Sequence, residues 1–234
     1  MNYKTRQLKT IGVLGGIGPQ ATMDFEAHVH AISRRLLEPR GNSGYPPLAV
    51  YYHRSTPVVL REDGEPVQPF QLDPLLLNAA RMLAMMADFL VITSDSTRLM
   101  SEIIEEYAGL PVLSKIETTL EEVQRRGWKR VGVLTFRAFS MYNTPLRETG
   151  IIPETLSAEL ASSLDHAIMA LSAGSETLQD RLVAREAVEI LRARDVDGII
   201  LGCTEIPLLL QEEAADLIDP LQLLAETAVK YALQ

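Results

Sequence analysis

The sequence predicts an α/β protein built on parallel sheet, and three observations carry that prediction. Hydrophobic runs alternate between short β-branched stretches that end at Gly or polar residues and longer segments with helical spacing. The short runs are continuous and apolar, as strands buried on both faces are. Finally, ADFLVITSDS (87–96) and VDGIILGCTE (196–205) repeat one design, in which an Asp precedes a buried strand that runs into a small hydroxyl or thiol residue. Ser94 and Cys203 occupy equivalent places in that repeat, at the carboxyl ends of their strands, where open α/β sheets bind ligands.

In chain order, strands are expected at 10–14, 48–52, 89–93, 112–113, 130–135, 198–201 and 217–218. Amphipathic helices are expected at 20–37, 72–87, 96–108, 116–126, 157–173, 176–194 and 221–233. The 157–173 segment shows why: Leu160, Leu164, Ile168 and Leu171 recur at spacings of three and four and form one apolar face. The loop 107–114 and the return near Asp219-Pro220 are the expected crossings between halves. They divide the chain into a first α/β domain, 1–112 plus 217–234, and a second, 113–216, with the last helix packing back on the first half.

Composition narrows the function. The 234 residues carry 22 Lys and Arg against 31 Asp and Glu, a net charge of −9. With 47% hydrophobic and 23% charged residues, the chain has ample material for packed cores. No Lys/Arg run exceeds Arg34-Arg35 or Arg125-Arg126, so the basic footprint of nucleic-acid binding is missing. The apolar stretch 196–206 is broken by Asp197, Cys203 and Glu205, far short of the roughly 20 residues a membrane span needs. The start, Met1-Asn2-Tyr3-Lys4, is polar where a signal peptide would be apolar, so a cytoplasmic location is expected. A single cysteine excludes an intrachain disulfide.

Four groups of residues could carry chemistry. After the first strand, the turn around Gly16, Gly18 and Pro19 opens a helix. Glycines there let backbone N–H groups approach an anion. Gly16, Gly18 and Ala21 fit the spacing of the dinucleotide fingerprint. Pro19 removes a donor, however, and no acidic residue closes a second strand, so a carboxylate-sized anion suits the loop better. A tight turn with no ligand is the alternative. Cys203 is either a small core residue or a thiol activated at a strand-to-helix turn. Ser94, Asp95, Ser96 and Thr97 can hydrogen-bond a carboxylate or cap the following helix. Arg61, in the loop after the second strand, can clamp a carboxylate with two hydrogen bonds or simply stand in solvent. His28, His30, His53 and His166 show no metal-ligand spacing and read as structural.

Taken together, GGIGPQAT, ADFLVITSDST and LGCTEIPLLL followed by IDP resemble the aspartate/glutamate racemase family, which includes hydantoin racemases, maleate isomerases and arylmalonate decarboxylases. The resemblance implies two similar three-layer α/β domains with parallel sheets, related by a pseudo-twofold axis, with the active site in the interdomain cleft. It implies no pyridoxal phosphate, no other cofactor and no metal. It also implies a homodimer. The implied reaction is two-base racemisation of a small carboxylate or amino-acid substrate, one group removing the α-proton while the other returns a proton on the opposite face.

Cys203 matches the family's second catalytic cysteine. Ser94 stands where the first cysteine is expected, and an alkoxide is far harder to form than a thiolate. Asp95 replaces an asparagine and adds negative charge. Arg61 matches the arginine that binds a substrate carboxylate, while Ser96, Thr97, Thr204, Gly16 and Gly18 complete the implied binding set. The second-domain lysine of aspartate racemases is absent, with Ser162 near its place. The reading is therefore a racemase of aspartate, glutamate or a related acid. The alternatives are a one-thiol decarboxylase or isomerase of the same superfamily, and a degenerate relative that binds a small acid.

Overall fold

The computed structural model describes residues 8–37, 44–63, 66–94, 98–136, 141–212 and 214–234. The chain divides into two compact units, Met1–Lys115 with Leu224–Gln234, and Ile116–Leu223.

The first unit is built on a four-stranded parallel sheet in the order β2-β1-β3-β4. Its strands are β1 (Ile11–Gly15), β2 (Leu48–Tyr52), β3 (Phe89–Ile92) and β4 (Val112–Leu113). β1 and β3 are buried along their whole lengths, in keeping with their unbroken apolar sequences. Three helices separate the strands: α1 (Pro19–Leu36), α2 (Pro74–Ala84) and α3 (Arg98–Ala108). One core packs Leu76, Ala80 and Leu83 of α2 and Ile104 of α3 against Leu14, Leu90 and Ile92. α1 starts at Pro19, whose missing N–H costs nothing at a first helical position. α2 starts two residues later than its hydrophobic spacing suggests because the Asp73 carboxylate caps it, accepting the Leu75 N–H at 2.9 Å.

The second unit repeats the plan, with parallel order β6-β5-β7-β8. Here the strands are β5 (Arg130–Leu134), β6 (Ile152–Glu154), β7 (Gly198–Leu201) and β8 (Leu217–Ile218). The helices are α4 (Lys115–Arg125), α5 (Asn143–Glu148), α6 (Ala158–Ser172), α7 (Leu178–Arg192) and α8 (Glu205–Leu210), with α9 (Pro220–Ala232) closing the chain. Alternation along β7 divides the core in two. Ile199 and Leu201 pack with Leu164 and Ile168 of α6 and Val188 and Leu191 of α7, whereas Ile200 packs with Val123 of α4 and Leu146 of α5. Strand by strand, β1, β2, β3 and β4 correspond to β5, β6, β7 and β8.

The expected strands and long helices all form. β6, α5 and α8 are additions. Each is short, and each contains a proline that masks its type in the sequence: Pro153, Pro145 and Pro207. Pro153 is tolerated because β6 is an edge strand. α9 begins in the second unit and ends in the first. There Tyr231 meets Phe89 edge-on at 4.7 Å between ring centroids, and the Lys9 N–H donates to the Ala232 carbonyl.

Candidate functional site

In each unit the side chains of interest leave the carboxyl edge of the sheet, beside the point where strand order reverses between β1 and β3 or between β5 and β7. In the first unit that edge is held by a closed hydrogen-bond network. The Gly16 N–H donates to Thr22 Oγ1 at 2.8 Å, and the Thr22 hydroxyl donates to the Gly18 carbonyl at 3.2 Å. With its hydrogen committed, Thr22 Oγ1 accepts from Thr93 Oγ1 at 2.9 Å. Thr22 and Thr93 are fully buried. The network therefore joins the turn after β1, the first turn of α1 and the end of β3.

Gly16 adopts φ +84°, and a side-chain carbon there would stand 2.5 Å from Tyr52 Cα. Glycine is thus required at this position by backbone geometry and by the approach of β2. Ser94 follows Thr93 directly. Its Oγ is shielded from solvent and has no hydrogen-bond partner among the described residues.

At the end of β2, His53 is 3% exposed. Ser55 Oγ donates to Asp73 Oδ2 at 2.7 Å and lies 2.8 Å from His53 Nε2. The serine has one proton, so His53 donates from Nε2. The Leu75 N–H, followed by Ser55 and the His53 ring, holds the Asp73 carboxyl below the ordinary aspartate range. His53 is therefore a partnered, buried residue, consistent with a structural part.

The second unit presents Cys203, two residues beyond the end of β7 and 7% exposed. Gly202 brings the chain close to β5: a side-chain carbon there would meet Thr135 at 2.6 Å. The Cys203 thiol donates to Glu205 Oε2 at 3.0 Å. Thr204 Oγ1 donates to the same oxygen at 3.0 Å, and Ser172 Oγ reaches Oε1 at 3.4 Å. A thiol aimed at a carboxylate that two hydroxyls orient has a defined acceptor for its proton.

The anticipated residues divide accordingly. Gly16 and Gly18 meet around Thr22, and Cys203 and Thr204 meet on Glu205. Arg61 stands half in solvent, its Nη2 3.0 Å from Asp63 Oδ2. Asp95, Ser96 and Thr97 lie outside the described residues. Ser162 is exposed on α6. Glu205 escaped sequence reasoning as an individual residue, although its place two positions after the cysteine was a visible signal.

Paired four-stranded parallel sheets, each ending in a nucleophile-sized residue on its third strand, define an α/β protein of duplicated design. Residues 14–228 match the Asp/Glu/Hydantoin racemase family, and the chain belongs to that family. Among solved structures, it resembles a Yersinia pestis protein at 23% identity, covering 97% of this chain and 100% of that one, with a TM-score of 0.76. An aspartate racemase homologue from Pyrococcus horikoshii OT3 is 22% identical, with 97% and 100% covered and a TM-score of 0.76. The Picrophilus torridus aspartate racemase is 21% identical, with 96% and 94% covered and a TM-score of 0.71. At these identities the likenesses establish the fold.

Proposed function

We propose that this protein is a cofactor-independent racemase of aspartate, glutamate or a related small acidic amino acid, with Cys203 as its principal acid/base. The observation that carries the reading is the Cys203 thiol directed at Glu205 at 3.0 Å, in the strand position equivalent to Ser94. In this reading Glu205 takes the thiol proton, the thiolate removes the α-proton from one face, and Ser94 serves the opposite face. Gly16, Gly18, Thr204 and Arg61, with Asp95, Ser96 and Thr97, form the proposed substrate-binding set. Proton transfer of this kind needs neither cofactor nor metal. A cytoplasmic homodimer is the proposed working form.

The two proton-transfer positions are unequal. Cys203 has a carboxylate beside it, whereas Ser94 Oγ has no hydrogen-bond partner among the described residues to receive or restore a proton. Racemisation has an equilibrium constant of one, so net turnover is balanced between enantiomers. Solvent exchange is not so constrained, and the enantiomer whose α-hydrogen faces Cys203 is expected to exchange faster than it inverts.

Proton NMR in D2O with each enantiomer of aspartate and glutamate, alongside chiral analysis, tests this. Exchange with slower inversion supports the racemase. Loss of no α-proton signal from any of the four overturns it. That Ser94 Oγ has no hydrogen-bond partner among the described residues favours one second reading, a one-thiol decarboxylase or isomerase. Release of CO2 from a disubstituted malonate with a single enantiomer formed would support that reading, and racemisation of the product would count against it.

A further inference from the structure

The hydrogen bonds around His53 satisfy only one of its ring nitrogens. Ser55 gives its single proton to Asp73, so Nε2 of His53 donates to Ser55 Oγ at 2.8 Å, with the Thr56 carbonyl 3.5 Å away. In a neutral imidazole, a proton on Nε2 leaves the lone pair on Nδ1. His53 is 3% exposed, and its Nδ1 has no hydrogen-bond partner among the described residues. The hold on the fold uses Nε2 alone, which leaves an acceptor in a nearly buried side chain to be explained.

Strand register places the ring. Tyr51, Leu14 and Ile92 share one row across β2, β1 and β3 and pack with the core under α2 and α3. The ladder runs on past the strand ends, since the His53 N–H donates to the Gly15 carbonyl at 2.8 Å and the Thr93 N–H to the Leu14 carbonyl at 3.5 Å. Side chains alternate between faces, so the next row on that face is His53, Gly16 and Ser94. The residues between confirm the alternation: the Tyr52 hydroxyl donates to Glu26 of α1 and the Thr93 hydroxyl bonds Thr22 of α1, both on the opposite face. His53 and Ser94 thus stand on one face of the carboxyl edge, two strand spacings or about 10 Å apart, flanking a residue with no side chain. Ile17, which follows Gly16, adds an apolar neighbour from the same core. Ser94 Oγ and His53 Nδ1 are both without a partner among the described residues.

We propose that His53 is a substrate-binding residue, its Nδ1 lone pair receiving the substrate's α-ammonium beside Ser94. The inference rests on the reading that the substrate is a small acidic amino acid. A carboxylate only accepts hydrogen bonds, as Nδ1 does, so those two repel; the ammonium is the strong donor that such a substrate offers. The site then favours acids that bear an α-amino group over diacids and malonates that lack one.

The test compares wild type, His53→Gln and His53→Asn by thermal melting, by calorimetric titration with aspartate, glutamate and their amine-free counterparts succinate and glutarate, and by α-proton exchange. Gln keeps a donor where Nε2 lies but no acceptor at Nδ1, whereas Asn keeps an acceptor near Nδ1 and gives up the bond to Ser55. His53→Gln is therefore expected to melt near wild type and to bind the amino acids at least about ten-fold more weakly, with affinity for the amine-free diacids unchanged and KM raised more than kcat is lowered. His53→Asn is expected to melt lower and to keep part of the preference for the amino acids. A Gln variant that keeps the wild-type preference overturns the proposal, as does equal loss for both kinds of acid, an Asn variant without the preference, or failure of both variants to fold. A His53-dependent preference in a protein that exchanges no α-proton keeps the ammonium site and overturns the racemase. Exchange by a wild type that does not prefer the amino acids overturns the ammonium site alone, and a wild type that binds none of these acids and exchanges nothing overturns both.

Discussion

In the proposed racemase Cys203 and Glu205 are the proton-transfer pair, and the value of the carboxylate there lies in where it sends the thiol proton. A neutral thiol is a poor base, whereas a thiolate formed by transfer to Glu205 across 3.0 Å is a good one. Replacing Glu205 by Gln keeps an oxygen near the thiol but removes the base. Glu205→Gln is therefore expected to lower α-proton exchange by about 10²-fold, the ordinary contribution of a positioned general base. Cys203→Ala, which removes the chain's single sulfhydryl, is expected to abolish it. Both variants should melt close to wild type, since Glu205 is partly exposed and the alanine deletes one small atom. NMR exchange rates beside melting curves check the pair, and a Cys203→Ala protein that still exchanges would sink the assignment.

The elements behave as units because single side chains tie their ends. Thr22 is the central example: its one hydroxyl serves the β1 turn, the start of α1 and the end of β3. Thr22→Val leaves the buried Gly16 N–H and Thr93 hydroxyl without that acceptor, an expected loss of about 1–3 kcal/mol. Thr93→Val should cost less, and the double variant less than the sum, because the two share one hydrogen bond. Urea unfolding of the four proteins measures this, and strict additivity would show that the network is not shared.

How far these elements were legible in the sequence depends on length and on punctuation. Strands such as 89–93 and helices such as 157–173 bury long periodic faces, and periodicity declares them. β6, with three residues and a central Pro153, declares nothing until β5 supplies its partner. Of the proposed site, Cys203 is legible from its motif, whereas the carboxylate that accepts from its thiol, Glu205, shows as a partner only once the turn after β7 is formed. The sequence leaves Arg61 open between a carboxylate clamp and a solvated arginine, and it stands half exposed beside Asp63.

At the scale of the molecule, the duplicated halves share topology but differ in how their loops are tied, and that difference predicts an unequal response to acid. Arg125 and Arg126 hold the Glu122 carboxyl down at about 2. Asp180 lies below its ordinary value because Thr177 hydrogen-bonds it within the cap of α7, and Asp197 does so because it accepts the Lys129 and Arg130 N–H groups. Asp216 is lowered by Arg192, and in the first unit Asp73 is lowered by its cap of α2. Each group is depressed in the folded state, so its contribution is complete above the unfolded value and is lost as pH falls through the folded one. For Glu122 that window runs from 4.5 down to about 2. Among the described residues, four of these five carboxylates lie in the second unit. The urea midpoint should therefore be level near neutral pH and fall progressively below about pH 4.5, less steeply in Glu122→Gln. Hydrogen exchange of peptides over that range should show α4, β5 and α7 losing protection before β1 and β3. A midpoint unchanged down to pH 2.5 would show that these ties are matched in the unfolded chain, and simultaneous loss of protection in both units would show that acid acts on the molecule as a whole.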